Sequence, residues 1–565
     1  MSLADWIVLI VTLLAIISYG LYKSRTSKNL DGYFLSNRSM PWYLVLLSIM
    51  GTQASAVTFL SAPGQAYTDG MRFVQYYFGL PIAMVVLCIT FVPAFRKLKI
   101  YTAYEFLEKR FDLKTRTLTS FLFLLQRGLS TGISISAPAI ILSSLLGWNI
   151  IWTNIFMGGL LIIYTVTGGA KAVAYTQQLQ LIIIFGGMIA AGYIVVHLLP
   201  AHVGLSDVLH LGGKAGKLNI ITTGVEKNHF NWNDRYNIFS GIIGGFFLSL
   251  SYFGTDQSQV GRYLTAKSVS ESRLGLLMNG LVKIPMQFLI LLLGVLVFAF
   301  YQYAKEPVFF NQSQIELLSH SKYKDSVTYL RNQYDSLQTA KVSLMNTNNS
   351  VNQSSLNEIE KKKTSYRSTI KRWLKDKDVN GDDNDTNYIF LRFVVDYLPK
   401  GLIGLLIAVI FLAAWGSIAA ALNSLSSATI VDFHKRFSKK ELSEKREYNL
   451  SKWYTFLWGV FCVAVAQLAY NIGNSLIEAV NVLGSLFYGV ILGIFLVAFY
   501  MKKIRGNSVF VSAIIIEIGI ISLYILNQKG LISLSFLWLN AVGAIGVILM
   551  SALLNMVMVK PRIDQ

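Results

Sequence analysis

Arg127 lies about ten residues into an apolar run, Leu118–Leu146, too deep for its side chain to reach an interface easily. A guanidinium at that depth is costly and must face a partner or a watery cavity. A solute carboxylate would match its planar fork with two hydrogen bonds. Carbonyls of a neighbouring helix, or a carboxylate such as Glu478, would serve as well. Glu478 and Asn481 share a second apolar stretch and carry the same two readings, a packing network or a solute contact. Gln53, Ser55 and Thr58 cluster beside Gly51 in Ser48-Ile-Met-Gly51-Thr-Gln53-Ala-Ser55-Ala-Val-Thr58. Small polar residues let helices pack closely. They also mark a helix that unwinds at mid-depth, freeing carbonyls for a cation and half-helix ends for a solute. Ser417, in Ala413-Ala-Trp-Gly416-Ser417, offers a hydroxyl that suits a hard cation such as Na+ or that bonds a neighbouring helix.

A different cation chemistry is suggested by Asp376-Lys-Asp378-Val-Asn380-Gly381-Asp382. Oxygen ligands at alternating positions around a turn-making Gly resemble the first half of a calcium loop. The twelfth position is Asn387 where a bidentate Glu is needed, and Asp383 replaces the usual apolar residue. A solvated acidic turn explains the same residues. No nucleotide-binding Gly-rich loop, no metal-spaced His or Cys and no hydrolytic or redox constellation is present, so the chain does not read as an enzyme. Cys88 and Cys462 both lie in apolar segments and suggest no disulfide framework.

The elements that must position these residues follow from composition. The chain of 565 residues is 53% hydrophobic and 14% charged, with a mean hydropathy of +0.49. Stretches such as Trp6–Tyr22, Phe78–Pro93 and Leu289–Tyr301 fit the roughly 20 residues needed to cross a bilayer core. Spans are expected near 5–22, 42–66, 73–93, 118–146, 150–168, 176–199, 236–258, 273–303, 391–432, 452–471, 474–500, 508–527 and 531–557. The formal charge of +20 alternates between loops, as the positive-inside rule requires, and does not imply nucleic acid. Lys23, Arg25, Lys28 and Arg38 fall on one side with Arg96–Arg116, Arg262–Arg273, Lys435–Lys452 and Lys502–Arg505. The short loops near 147–150 and 471–474 carry no basic residue. The pattern gives a multi-pass protein of the plasma (inner) membrane, embedded in lipid, with its N-terminus outside and its C-terminus cytoplasmic.

Residues 304–390 are polar and fall on the outer side. Helical spacing at Ile315-Leu318 and Val327-Leu330-Tyr334-Leu337 predicts a helical hairpin or cap. Span seven also contains a small-residue cluster, Ser240-Gly-Ile-Ile-Gly244-Gly245. Two candidate breaks five spans apart predict an inverted five-helix repeat.

Several stretches then resemble the sodium/solute symporter family: Asp31-Gly-Tyr-Phe-Leu, Thr102-Ala-Tyr-Glu-Phe-Leu-Glu-Lys-Arg-Phe, Ala137-Pro138-Ala, Gly169-Ala-Lys-Ala-Val, Asp256-Gln-Ser-Gln-Val-Gly-Arg-Tyr-Leu and Leu422-Asn423-Ser424. They look closer to the monocarboxylate, iodide and multivitamin branch than to the galactose transporters. The resemblance implies an all-α leucine-transporter fold. Its repeats would be 42–199 and 236–303 with 391–500, flanked by 1–41 and 501–565 and interrupted by the insert 304–390. It implies alternating access driven by Na+, with carbonyls of Gly51, Ala54 and Ala413 and the hydroxyl of Ser417 as the sodium site. Gly416 stands where the family commonly has a further hydroxyl. At a second sodium site, Gln177, Ala419 and Ala420 replace the family's Asp and Ser residues, which predicts one Na+ per cycle. Gln53 and Thr58 match solute positions, and Tyr252 matches an inner aromatic gate. Arg127 tilts the solute towards an organic anion, a monocarboxylate or acidic sugar. A neutral sugar is the alternative. A channel would be favoured by charged or carbonyl rings, of which the sequence shows no sign. A sensor would need an attached cytoplasmic output domain, a reading disfavoured by a chain that stops about eight residues after its last expected span.

Overall fold

Broken helices organise the molecule, and the first break falls beside Gly51. In the computed structural model, residues 2–24, 30–346, 353–438, 443–469 and 476–558 are described. After α1 (Leu3–Ser24), the second span divides into α2 (Trp42–Gln53) and α3 (Ala56–Asp69), bent by 60°. Ala54 leaves the helix with φ −85° and ψ 76°, and Ser55 is extended. The Ser55 N–H turns to the Gln53 carbonyl at 3.1 Å, so the Gly51 carbonyl loses its helical donor four residues on.

The next span, Met71–Leu98, is a chain of 3-10, α and π turns. It is followed by α4 (Leu113–Leu146) and α5 (Ile150–His197). The expected spans 150–168 and 176–199 carry one unbroken helical assignment in α5, yet they are not one rod. The Tyr164 and Thr176 hydroxyls lie 2.9 Å apart. In a straight helix those residues would be separated by about 18 Å, so the chain folds back between them.

The second break is not where the glycines predicted it. Ser240–Gly244 forms a π turn that runs directly into α6 (Gly245–Thr255), and the helix opens one span-depth later, at Asp256, before α7 (Gln257–Leu264). The glycines are there for contact instead. A Cβ on Gly241 would sit 2.2 Å from the Gln75 carbonyl oxygen, and one on Gly245 would sit 2.6 Å from that of Tyr76. Asp256 caps α7 by accepting the Ser258 N–H at 2.8 Å, which explains why the chain restarts there.

The long α8 (Val269–Tyr303) leads into the insert, built from α9 (Gln312–Ser319), α10 (Lys324–Asn346) and α11 (Gln353–Leu374). Ile315, Leu318, Val327, Leu330 and Tyr334 meet Ile370 and Leu374 in a core separate from the membrane domain. Below it, the buried Glu306 carboxylate takes Lys363 and Arg367, each at 2.6 Å. Glu306 also accepts the hydroxyl of Tyr67 from α3, which ties the insert to the outer half of the broken helix.

The expected helix 391–432 is two. α12 (Thr386–Tyr397) packs on α3, and α13 begins at Leu402 after Gly401, whose φ is +90°. α13 runs to Ala428 and continues through a π turn to Phe437. At its end Asp432 pairs with Arg116 of α4 at 2.6 Å. The chain closes with α14 (Glu444–Ala469), α15 (Leu476–Tyr500), α16 (Gly506–Gln528) and α17 (Phe536–Met558). Each of the thirteen expected spans thus has a helical counterpart. By length and apolarity alone, eight helices qualify as crossings among the described residues, or nine with the bent pair. The basic Arg25 and Lys28 and the loop near 471–474 lie outside the described residues.

Candidate functional site

The break between α2 and α3 opens onto a cavity of about 100 Å3 lined by Gln53, Ser55, Thr58, Arg127, Tyr252 and Asn481, together with Tyr76, Tyr77 and Tyr488. All six residues singled out as solute contacts meet here, from four separate spans. A second cavity of about 70 Å3 shares Gln53, Ser55, Arg127 and Tyr252 and reaches Ser417 of α13, with Thr52, Ser130 and Thr131 on its walls. Ser417 Oγ donates to the Ala414 carbonyl at 3.0 Å. Gly51, Ala54 and Ala413 are buried, in the last turn of α2, in the break, and in the turn before Ser417. These oxygens suit a hard monovalent cation by type.

Arg127 is 8% exposed, and its counter-ion is not Glu478. Glu478 pairs with Arg235 at 2.7 Å. The carboxylate facing Arg127 belongs to Asp256, 3.6 Å from its Nη1. The same Asp256 oxygen accepts the Tyr488 hydroxyl at 2.8 Å, so Tyr488 and Arg127 meet at one carboxylate oxygen. That separation exceeds a hydrogen bond, and Arg127 Nε has no hydrogen-bond partner among the described residues. The guanidinium is therefore compensated in charge and meets the Tyr252 hydroxyl, while its Nε is left without a hydrogen-bond partner among the described residues. Its Cζ lies 5.9 Å over the Tyr252 ring, whose hydroxyl accepts Gln259 Nε2 at 2.7 Å.

Gln53 Oε1 is buried without a partner among the described residues, and Asn481 accepts the Tyr76 hydroxyl at 3.1 Å. The Tyr76–Asn481 bond bridges two walls, so a solute larger than a few atoms needs it to part. Asp256 and Tyr488 were not foreseen as members. A polar residue that both caps a helix and interrupts a span was the available signal for Asp256. Lys283 of α8 was missed too. It is fully buried, its Nζ has no hydrogen-bond partner among the described residues, and it lies 5.2 Å from the centre of the Tyr77 ring at the cavity wall.

The calcium-like loop closes on itself. Asp376 and Asp378 both hold Lys322, at 2.8 and 2.6 Å, and Asp376 also accepts the Tyr323 hydroxyl. An ammonium thus stands between two of the carboxylates a cation would need. Among the described residues no group of three or more His, Cys, Asp or Glu could hold a metal ion.

A polytopic helical protein with a broken span opening onto a small polar cavity between helices has the architecture of a secondary transporter. The model of the sodium:solute symporter family matches residues 33–319 and 374–516, and the chain belongs to that family. It is 25% identical to the sodium/sialic acid symporter SiaT of Proteus mirabilis (strain HI4320), over 96% of this chain and 93% of that one. It is 27% identical to sodium-coupled monocarboxylate transporter 1 of Homo sapiens, over 83% of this chain and 64% of the relative. A solved structure of a Na+-coupled sialic acid symporter, substrate-bound and outward-open, superposes with a TM-score of 0.74 at 23% identity, covering 98% of each chain. The leucine-transporter fold expected from sequence is the fold the chain adopts. Most of α10 and α11 lies in the interval between the two matched stretches.

Proposed function

We propose that the protein is a sodium-coupled symporter that imports a small organic anion, a monocarboxylate or an acidic sugar, by alternating access. The observation that carries this is one cavity system uniting the α2/α3 break, the buried Arg127 and Ser417. In this reading the carbonyls of Gly51, Ala54 and Ala413 and the Ser417 hydroxyl hold one Na+. Arg127 receives the solute's carboxylate, Gln53, Ser55, Thr58 and Asn481 take its polar groups, and Tyr252 closes over it. The relatives named for sialic acid and monocarboxylates support an anionic cargo. The Asp256 counter-charge keeps a neutral sugar as the second reading, because it offsets the need for an anion beside Arg127. Gln177, Ala419 and Ala420 leave a second cation without an anionic or hydroxyl ligand, which supports a single Na+ per cycle. We read 42–199 and 236–303 with 391–500 as the inverted repeats.

The purified protein should be stabilised by carboxylates or acidic sugars more in Na+ than in K+ when a panel of both solute classes is screened by thermal shift. Preference for neutral sugars alone would select the second reading, and equal shifts in the two salts would end the coupled one.

A further inference from the structure

Gln177, on the second arm of α5, is fully buried beside the proposed sodium site and spends its amide on two other helices. Its Oε1 accepts the Ser48 hydroxyl at 2.9 Å. Its Nε2 donates to Thr52 Oγ1 and to the Gly416 carbonyl, both at 3.2 Å. An amide nitrogen has two N–H groups, so one goes to α2 and the other to α13.

Two glycines make the arrangement possible. A Cβ on Gly51 would lie 2.8 Å from Gln177 Cβ and 2.9 Å from its Cγ. A Cβ on Gly416 would lie 2.7 Å from Gln180 Oε1 and 3.2 Å from Gln177 Cγ. Thus Gly51, a proposed carbonyl ligand, and Gly416, the neighbour of the proposed hydroxyl ligand Ser417, both lack side chains where this amide needs room. Gln180 is also buried and backs the same position.

We infer that Gln177 is the positioning residue of the sodium site. It sets the separation of α2 from α13, and so the distance between the Gly51 carbonyl and the Ser417 hydroxyl, without touching the ion. The inference rests on the proposed sodium reading. It also gives Gly416 a reason: a hydroxyl side chain there would displace the amide that holds the site together. Any motion that parts α2 from α13 must break the Gln177 bonds together with those of the ion, so the amide favours the sodium-competent arrangement.

The test separates sodium affinity from solute affinity. In proteoliposomes, Gln177→Met keeps side-chain length but removes both donors. Gly416→Ala keeps the amide and crowds it, and so reads the same joint if the first variant folds poorly. Each should raise the half-saturating Na+ concentration about tenfold, since Gln177→Met loses all three buried hydrogen bonds of the amide and Gly416→Ala strains them. Solute KM at saturating Na+ should stay within about twofold, because the solute contacts are untouched. The double variant should be little worse than either single one, since both act on one contact. Ser417→Ala is the control for the sodium reading itself. If Ser417→Ala abolishes sodium stimulation while Gln177→Met and Gly416→Ala leave the sodium dependence as in the wild type, the positioning role is refuted and the sodium site stands. Equal losses of sodium and solute affinity in both variants would also refute it, as general destabilisation. A wild-type protein without sodium stimulation would remove both readings.

Discussion

Arg127 and the Tyr488 hydroxyl both face one oxygen of Asp256, and the charge pair sets what each substitution should do. Asp256→Asn leaves a buried guanidinium without counter-charge, and breaking such a pair typically costs about 3–5 kcal/mol. A lowered melting temperature is expected, restored in part by the double variant Arg127→Gln/Asp256→Asn. A carboxylate solute should stabilise Asp256→Asn more than wild type, since it then supplies the missing anion. A melting temperature unchanged by Asp256→Asn would show that the pair does not compensate Arg127. Arg127→Gln alone should raise KM for a carboxylate solute about 10- to 100-fold, the range for one charge-assisted contact. Unchanged KM in uptake assays would remove Arg127 as the reason to favour an anion.

The informative elements are the broken α2–α3 pair and the insert bound to its outer half through Tyr67 and Glu306. Within the insert, burial pushes the Asp382 carboxyl up to about 7, only partly offset by the Asn384 N–H, with Asp383 and Asp385 adding to the rise. Burial likewise pushes Asp385 up to about 6, against accepted N–H groups of Phe310 and Asn311. Both values lie above the ordinary 3.8, so the folded insert holds these protons more tightly than the unfolded chain does. The stability contributed by these two carboxyls is fully present below pH about 4 and is lost as pH rises towards about 7. Amide exchange of α9–α11, corrected for intrinsic rate, should show stronger protection at pH 5 than at pH 8. Asp382→Asn should flatten that difference, and a pH-independent protection pattern in the wild type would contradict the assignment. Glu306 behaves in the opposite sense. Despite its burial, Arg367 and Lys363 hold its carboxyl far below the usual range. Its stabilisation is present above its ordinary 4.5 and is lost as pH falls below that, so it adds little slope between pH 5 and 8.

At the scale of the whole molecule, the charge pattern predicts an outer insert and a cytoplasmic C-terminus. Cys88 and Cys462 are both buried, so a cysteine placed at the exposed Tyr329 should be the main target of an impermeant maleimide in intact cells. Labelling only after the membrane is permeabilised would invert the topology. Uptake driven by a sodium gradient should give one Na+ per solute from reversal potentials, and a ratio of two would require a ligand set that Gln177, Ala419 and Ala420 do not provide.

Local composition by itself determined the helical spans, their alternating charge, the polar insert with its own apolar spacing, and the break beside Gly51. Each of these reflects the solvation of a short stretch of chain, in lipid or in water, and needs no knowledge of distant partners. The depth of Arg127 was likewise readable, because helix length and apolarity fix it. Its counter-ion was not. Whether Asp256 or Glu478 faces it depends on how α4 packs against the other spans, which a linear pattern does not encode. The Ser240–Gly245 cluster shows the same limit, since glycine serves a break and a close backbone contact equally well. Only the Gln75 and Tyr76 carbonyls lying against those glycines decided for contact, and moved the opening to Asp256. The joint at Gln177 was likewise a matter of packing, because one amide had to meet two helices at once.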